Sequence, residues 1–225
     1  LKPDFAEAEF KIAALSGETI STVPLDYIEL LFDGFANNFE NSLVNDLEYK
    51  IHNVIAEMLI KKNKNKSLGS LLDLGCGTGL FGNEITKFCH YLVGVDLSLK
   101  MLQKAKKKKV YNELFKQDII SYLSNESLDF NYFVCTDVFI YIGDLYEVFK
   151  LIKSRNNKGG KLAFSTEHRQ EDEFFLEQSG RYSHSKKYID SLCKTFGYEV
   201  SHFEIQNLRK EKNQYIKGGL YILDF

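Results

Sequence analysis

Leu71-Leu72-Asp73-Leu74-Gly75-Cys76-Gly77-Thr78-Gly79-Leu80-Phe81-Gly82 is the stretch that decides the fold of this 225-residue chain. Its first half is an apolar run ending in an acid. Its second half is a cluster of glycines that opens into apolar residues at helical spacing. Strand, glycine turn, helix is the opening unit of a parallel α/β sheet. Glycines at such a turn let ligand atoms approach the backbone where a Cβ would clash. The alternation continues outward. Residues 91–95 read as a second strand, 98–107 as a helix, 114–115 as a short third strand and 129–136 as a fourth. A helix over 143–153, a fifth strand over 160–166 and a helix over 185–196 follow. Strands over 198–205 and 215–225 close the chain without a helix between them, which predicts an antiparallel hairpin at the sheet edge. The fold class is therefore α/β, a doubly wound, mostly parallel seven-stranded sheet.

Upstream the pattern is helical. Residues 3–15 place apolar positions at helical intervals behind Pro3, and Ser16-Gly17-Glu18-Thr19 ends that helix. Pro24 opens an aromatic-rich stretch with Tyr27, Phe32, Phe35 and Phe39. A longer helix is expected over 42–62 from the spacing of Leu43, Leu47, Ile51, Val54, Ile55, Met58 and Leu59. Hydrophobic residues at 44% and charged residues at 27% are enough to build a core, which excludes wholesale disorder. No run approaches the length of a transmembrane helix. The balance of 29 Lys+Arg against 31 Asp+Glu names no polyanionic partner. Cys76, Cys89, Cys135 and Cys193 are too far apart for a zinc knuckle or a C-x-x-C redox site, so no metal is expected. They read as reduced core residues of a cytoplasmic protein, and the start at Leu1 admits a fragment of a longer one.

Two ligands suit the glycine turn. Gly77-x-Gly79-x-x-Gly82, with Asp96 after the next strand, matches a dinucleotide fingerprint and hence an oxidoreductase. Asp73 argues otherwise, because a carboxylate just before the turn repels a pyrophosphate and welcomes the sulfonium and ammonium of S-adenosylmethionine. With those residues in view, the segment resembles motif I of the class I S-adenosylmethionine-dependent methyltransferases, an acid followed by G-x-G-x-G. Val93-Gly94-Val95-Asp96-Leu97-Ser98 resembles the second motif, whose acid holds the ribose hydroxyls. Gln117-Asp118-Ile119 resembles the third, at the adenine. Residues 129–137 resemble the fourth strand with its post-strand acid, Asp137. Lys158-Gly159-Gly160 stands where the family usually has P-G-G. The resemblance implies a Rossmann-like fold with N-terminal lid helices, S-adenosyl-L-methionine as cofactor, and a cofactor set of Asp73, Gly75, Cys76, Gly77, Gly79, Asp96, Leu97, Met101, Asp118, Ile119, Asp137 and Tyr49.

A narrower resemblance, to predicted methyltransferases that follow tetratricopeptide repeats, rests on the 31–39 segment, Leu47-x-Tyr49, the 137–145 segment and Arg181-Tyr182-Ser183-His184-Ser185. It implies an N-terminal helix over 1–20 left from such a repeat, a helical lid over 21–66 and a catalytic domain over 67–225.

Methyl transfer needs positioning, desolvation and, for a hydroxyl acceptor, a general base. His184 is the expected base, ahead of Tyr182 and His168, since all three follow strand five where the acceptor should lie. The aromatics Tyr27, Phe32, Phe35, Phe39 and Tyr49 are expected to roof the cofactor and acceptor. Thr136-Asp137-Val138-Phe139 lacks the prolines that N/D-P-P-Y nucleic-acid amino methylation requires, and no proline precedes a cysteine as cytosine-C5 chemistry needs. The lysine runs at 61–66 and 104–109 lack interleaved aromatics for base stacking. A small-molecule acceptor methylated on oxygen or nitrogen is the favoured expectation, with no nucleic acid and no membrane as partner. The alternatives are an RNA or protein acceptor, a dinucleotide oxidoreductase, or a non-catalytic scaffold beside upstream tetratricopeptide repeats.

Overall fold

The computed structural model describes residues 4–125, 128–156, 159–171 and 173–225; Pro3 and Lys158, named above, lie outside them. The glycine stretch begins as expected in a central strand, β1 (Gly69–Leu74). It pairs in parallel with β2 (Cys89–Asp96) on one side and β4 (Tyr132–Cys135) on the other. β3 (Glu113–Lys116) extends the sheet beyond β2, and β5 (Lys161–Arg169) extends it beyond β4. The chain thus winds outward from β1 in one direction and then in the other, leaving a crevice above the carboxyl ends of β1 and β4.

The crossover helices are α4 (Leu80–Ile85), α5 (Leu99–Lys108), α6 (Ile119–Leu123), α7 (Tyr146–Arg155) and α8 (Lys186–Phe196). Alternation along the strands splits the core in two. Leu72, Leu74, Val93, Val95 and Phe133 pack against Phe149 and Ile152 of α7 and Ile189 of α8. Leu71, Leu92 and Val134 pack on the opposite face against Phe81 and Ile85 of α4. The antiparallel hairpin is present as β8 (Glu199–Glu211) and β9 (Gln214–Asp224), with β9 laid along β5. Lys212 and Asn213, both at positive φ, form its two-residue turn, the conformation that matches strand twist.

Nine strands, not seven, are joined among the described residues. The extra pair is β6 (Phe174–Leu176) and β7 (Tyr182–Ser185), with β7 pairing in parallel to residues 167–169 of β5. All four β7 residues are buried, so the polar string Tyr-Ser-His-Ser carries no alternation to betray a strand. The pair seats the first helix, α1 (Asp4–Ser16), whose Phe10, Ala13 and Ala14 pack against Leu176 and Tyr182.

The single helix expected over 42–62 is also divided. After α2 (Leu25–Phe35) comes a π-helical turn (Asn41–Asp46), then a break with Glu48 at φ +54°, then α3 (Ile51–Lys62). The hairpin causes the break. The Leu47 carbonyl accepts from the Lys210 backbone N–H at 2.7 Å, and Glu48 takes the Lys210 ammonium at 3.1 Å and the Tyr215 hydroxyl. Tertiary hydrogen bonds thus override helical periodicity at this point. Only α3 enters the core, through Ile51, Ile55 and Leu59. Among the described residues no helix is long and apolar enough to cross a membrane.

Candidate active site

A cavity of about 490 Å³ sits over the carboxyl ends of β1, β2 and β4, roofed by α2 and the π-helical turn. Gly75, Cys76, Gly77, Asp96, Leu97, Met101, Asp118, Ile119, Asp137 and Tyr49 all line it. Strand register produces this convergence, since the turn after β1 and the acid ending β2 are neighbours in the sheet.

Two of the turn's glycines, both at positive φ, line the cavity. Gly75 has φ +72°, and a Cβ there would lie 2.4 Å from Val138. Gly77 has φ +54°, yet a Cβ there would meet only Phe39, at 3.9 Å. The space over Gly77 is therefore open to a ligand. Asp96 ties the turn down. One carboxylate oxygen accepts from the Gly77 N–H at 2.8 Å, the other from the Ser98 N–H at 2.8 Å. Burial pushes its pKa up to about 6 despite those bonds. Asp118 caps α6 by accepting from Ser121 N at 2.9 Å.

Asp73 and Gly79 do not line the cavity. Asp73 shares the α4 side of β1 with Leu71, and its carboxylate is fully buried beneath the turn. Its Oδ2 accepts from the Tyr111 hydroxyl at 2.6 Å, while Oδ1 has no partner. Desolvation raises its pKa to about 7, and the carboxylate lies outside the cavity, contrary to the expectation from its position that it faces a sulfonium. Tyr111 was invisible in the sequence, although its signal is there. A Cβ on Gly79, Gly82 or Gly94 would come within 3.0, 2.4 and 3.0 Å of its ring. Two glycines of the fingerprint and Gly94 of β2 thus make a slot for one tyrosine, which accounts for Gly82 without a pyrophosphate.

The far end of the cavity is charged. Arg209 of β8, 3% exposed, donates from Nε to Glu211 at 2.8 Å and from Nη1 to Asp137 at 3.1 Å, while Nη2 bonds Glu167. Arg181 donates from Nε to Glu167 at 2.9 Å and also reaches Glu211. Asp137 has φ +58°, with its N–H bonded to Ser165 Oγ at 2.8 Å. Burial raises its pKa more than Arg209 lowers it. Sequence reasoning missed Arg209 and Glu211, because polar residues on an edge hairpin look like solvated surface. His52 lines the cavity, stacks on Tyr49 with centroids 5.4 Å apart, and leaves Nδ1 without a partner.

The three expected catalytic residues are placed elsewhere. His184 is 0% exposed inside β7, with Nε2 at 3.0 and 2.9 Å from the carbonyl oxygens of Ile142 and Gly143. Those contacts fix the Nε2–H tautomer, and burial drives the ring's pKa down to about 4. The Tyr182 hydroxyl donates to the Ile20 carbonyl at 2.8 Å. His168 pairs with His184 across the sheet and lies 6.1 Å from the Phe203 ring. None of the three lines the cavity, so none is positioned to take an acceptor's proton. For Tyr182 and His184 the reason is the unforeseen strand β7, which turns their segment into buried sheet; His168 lies on an extension of β5.

The chain matches a family model described as a methyltransferase domain over residues 44–208. It is 31% identical over 151 residues to an uncharacterized methyltransferase of Schizosaccharomyces pombe, covering 57% of this chain and 51% of the relative. A probable 18S rRNA (guanine-N(7))-methyltransferase of Dictyostelium discoideum is 34% identical over 79 residues, 35% of this chain and 27% of that one. A ubiquinone biosynthesis O-methyltransferase of Coxiella burnetii is 28% identical over 99 residues, 43% of this chain and 42% of the relative. The matches span about a quarter to a half of these relatives' lengths. Among solved structures, the N-methyltransferase NodS of Bradyrhizobium japonicum, in complex with S-adenosyl-L-homocysteine, superposes with a TM-score of 0.66 at 15% identity. That likeness covers 87% of this chain and 97% of NodS, and it concerns the fold. With its glycine turn, paired acids and strand order, the chain belongs to the methyltransferase-domain family.

Proposed function

We propose that the chain is an S-adenosyl-L-methionine-dependent methyltransferase acting on a nitrogen or oxygen of a small molecule. The observation that carries this reading is the single cavity that joins the cradle over Gly77 and the Asp96 carboxylate to a charged inner end. The cofactor, when bound, supplies a methyl group already activated by its sulfonium. Asp96 accepts hydrogen bonds from the ribose hydroxyls, and Asp118 with Ile119 borders the adenine. Gly77, beside Gly75 in the turn, gives the amino-acid portion close backbone approach, while Leu97 and Met101 supply apolar wall. Asp73 acts indirectly, holding the turn from below through Tyr111.

An aromatic roof favours a small acceptor. Phe32 meets Tyr141 edge-on at 5.2 Å and Phe39 at 6.1 Å, which closes the cavity from above. Polar contacts latch this roof to the cofactor side. Asp33 accepts from the Ser98 hydroxyl, Glu29 pairs with Lys116 at 2.7 Å, and Glu40 pairs with Lys108 at 2.7 Å. Exposed pairs of this kind are worth only about 0–1 kcal/mol each, so the roof can open and close. Residues 20–49 form this lid; α3 belongs to the core.

Methyl-labelled S-adenosylmethionine offered with a total cell extract tests the reading. The label is expected in the small-molecule fraction. Label confined to RNA or to protein refutes the acceptor class while leaving methyl transfer intact.

A further inference from the structure

We infer that the charged end of the cavity is a subsite for an amine acceptor that arrives as a cation on an apolar or aromatic body; this rests on the methyltransferase reading above. The first observation is a charge count. Oε1 of Glu167 and Oε1 of Glu211 each bridge Arg181 and Arg209, closing a ring of two carboxylates and two guanidiniums. That ring is charge-balanced. Asp137 stands outside it, pairs with Arg209 at 3.1 Å, and is the surplus carboxylate on the wall. Among the described lining residues the charged groups are Asp96, Asp118, Asp137 and Glu211 against Arg181 and Arg209, with no lysine. Both guanidiniums are engaged by carboxylates, so an anionic acceptor meets repulsion in a site where charge is weakly screened.

Three further observations point the same way. Tyr49 and Tyr141 stand beside Asp137 and Arg209, Phe32 packs on Tyr141, and aromatic faces attract a cation by about 0.5–2 kcal/mol. His52, 6% exposed, lines the same cavity and leaves Nδ1 unpartnered. Burial disfavours the charged ring, so His52 does not oppose a cation. Asp137 holds a left-handed backbone conformation that is uncommon outside glycine, a form of strain that collects at ligand sites.

The chemistry follows from the placement. The bound ammonium gives one proton to the Asp137 carboxylate, which releases it to water. The freed nitrogen lone pair forms the new N–C bond to the methyl as the C–S bond breaks, its electron pair remaining on sulfur. The products are an N-methylammonium and a neutral thioether.

The test uses the chain saturated with S-adenosylhomocysteine and three probes of similar shape: phenethylamine, 2-phenylethanol and 3-phenylpropionate. Ligand-observed saturation-transfer NMR gives their affinities without turnover. Phenethylamine is expected to bind at least about tenfold more tightly than either of the others, and Asp137→Asn to weaken it by about tenfold or more. Asparagine tolerates the left-handed backbone, so that variant keeps its fold, and its affinity for S-adenosylhomocysteine is expected to stay within about threefold. Equal or tighter binding of the alcohol or the carboxylate overturns the inference, as does silence from the amine. So does an Asp137→Asn variant that loses S-adenosylhomocysteine as strongly as amine, since the carboxylate would then serve the cofactor's own ammonium. Failure of the wild-type chain to bind S-adenosylhomocysteine is a separate result that removes the methyltransferase reading itself.

Discussion

Replacing Asp73 by asparagine should change stability in a way that depends steeply on pH. The carboxyl is fully buried, accepts one hydrogen bond from Tyr111, and has a second oxygen with no partner. Burial raises its pKa from the ordinary 3.8 to about 7. Below 3.8 the folded and unfolded chains both carry the proton, and no penalty arises. Between 3.8 and about 7 the folded protein keeps a proton that the unfolded chain has released, so stability falls as pH rises. At 1.36 kcal/mol per pH unit, that interval amounts to on the order of 4 kcal/mol, fully expressed above pH 7. Asp73→Asn removes the titration while keeping an amide oxygen for Tyr111. Its stability relative to wild type should therefore climb by several kcal/mol from pH 4 to pH 8. The assay is urea unfolding across that range, followed by far-UV circular dichroism because the chain has no tryptophan. A difference that stays constant within about 0.5 kcal/mol would show that Asp73 does not titrate in the fold, and the argument would fail.

Four further outcomes follow from the same geometry. Tyr111→Phe should cost about 1–3 kcal/mol, more at pH 8 than at pH 5, because it strips the buried carboxylate of its donor; urea unfolding at both values checks it. Gly75→Ala should destabilise the fold by roughly 2–4 kcal/mol through backbone strain and the Val138 clash, whereas Gly77→Ala should cost about 1–2 kcal/mol and chiefly abolish ligand binding. Thermal shift with and without S-adenosylhomocysteine separates the two. His184 is held neutral to about pH 4 against an ordinary 6.5, so its contribution is intact above 6.5 and is lost as pH falls toward 4, roughly 3 kcal/mol in all; unfolding of His184→Gln should lack that component. Proteolysis between residues 20 and 50 should slow when S-adenosylhomocysteine is added, and equal rates would rule out a closing lid.

The cofactor half of the site was legible because its residues are tied to chain-local features. A strand end, a glycine turn and an acid ending the next strand occupy fixed positions relative to one another. Register then brings Gly77 to Asp96 with no long-range information needed. The acceptor half was not legible. Arg209 reaches Asp137 across 72 positions of sequence, from a hairpin whose alternation says nothing about which polar residue turns inward. His184 misled for a related reason, since a histidine before a helix cap reads as an active-site loop until the sheet claims it. Asp73 was correctly singled out as unusual, but β1 turns it toward Tyr111 and away from the cavity. The broken helix at Glu48 shows a third limit: periodicity ran on through a point where hydrogen bonds to β8 dictated a bend.

The central claim is that Asp96 and the glycine turn hold an adenosyl cofactor. Titration calorimetry with S-adenosylmethionine, S-adenosylhomocysteine and NADH, on the wild-type chain and on Asp96→Ala, tests it most directly. The account predicts micromolar binding of both adenosyl ligands by wild type, at least about a hundredfold weaker in the variant, and no heat from NADH. A clear NADH isotherm with silence from the adenosyl ligands would contradict it.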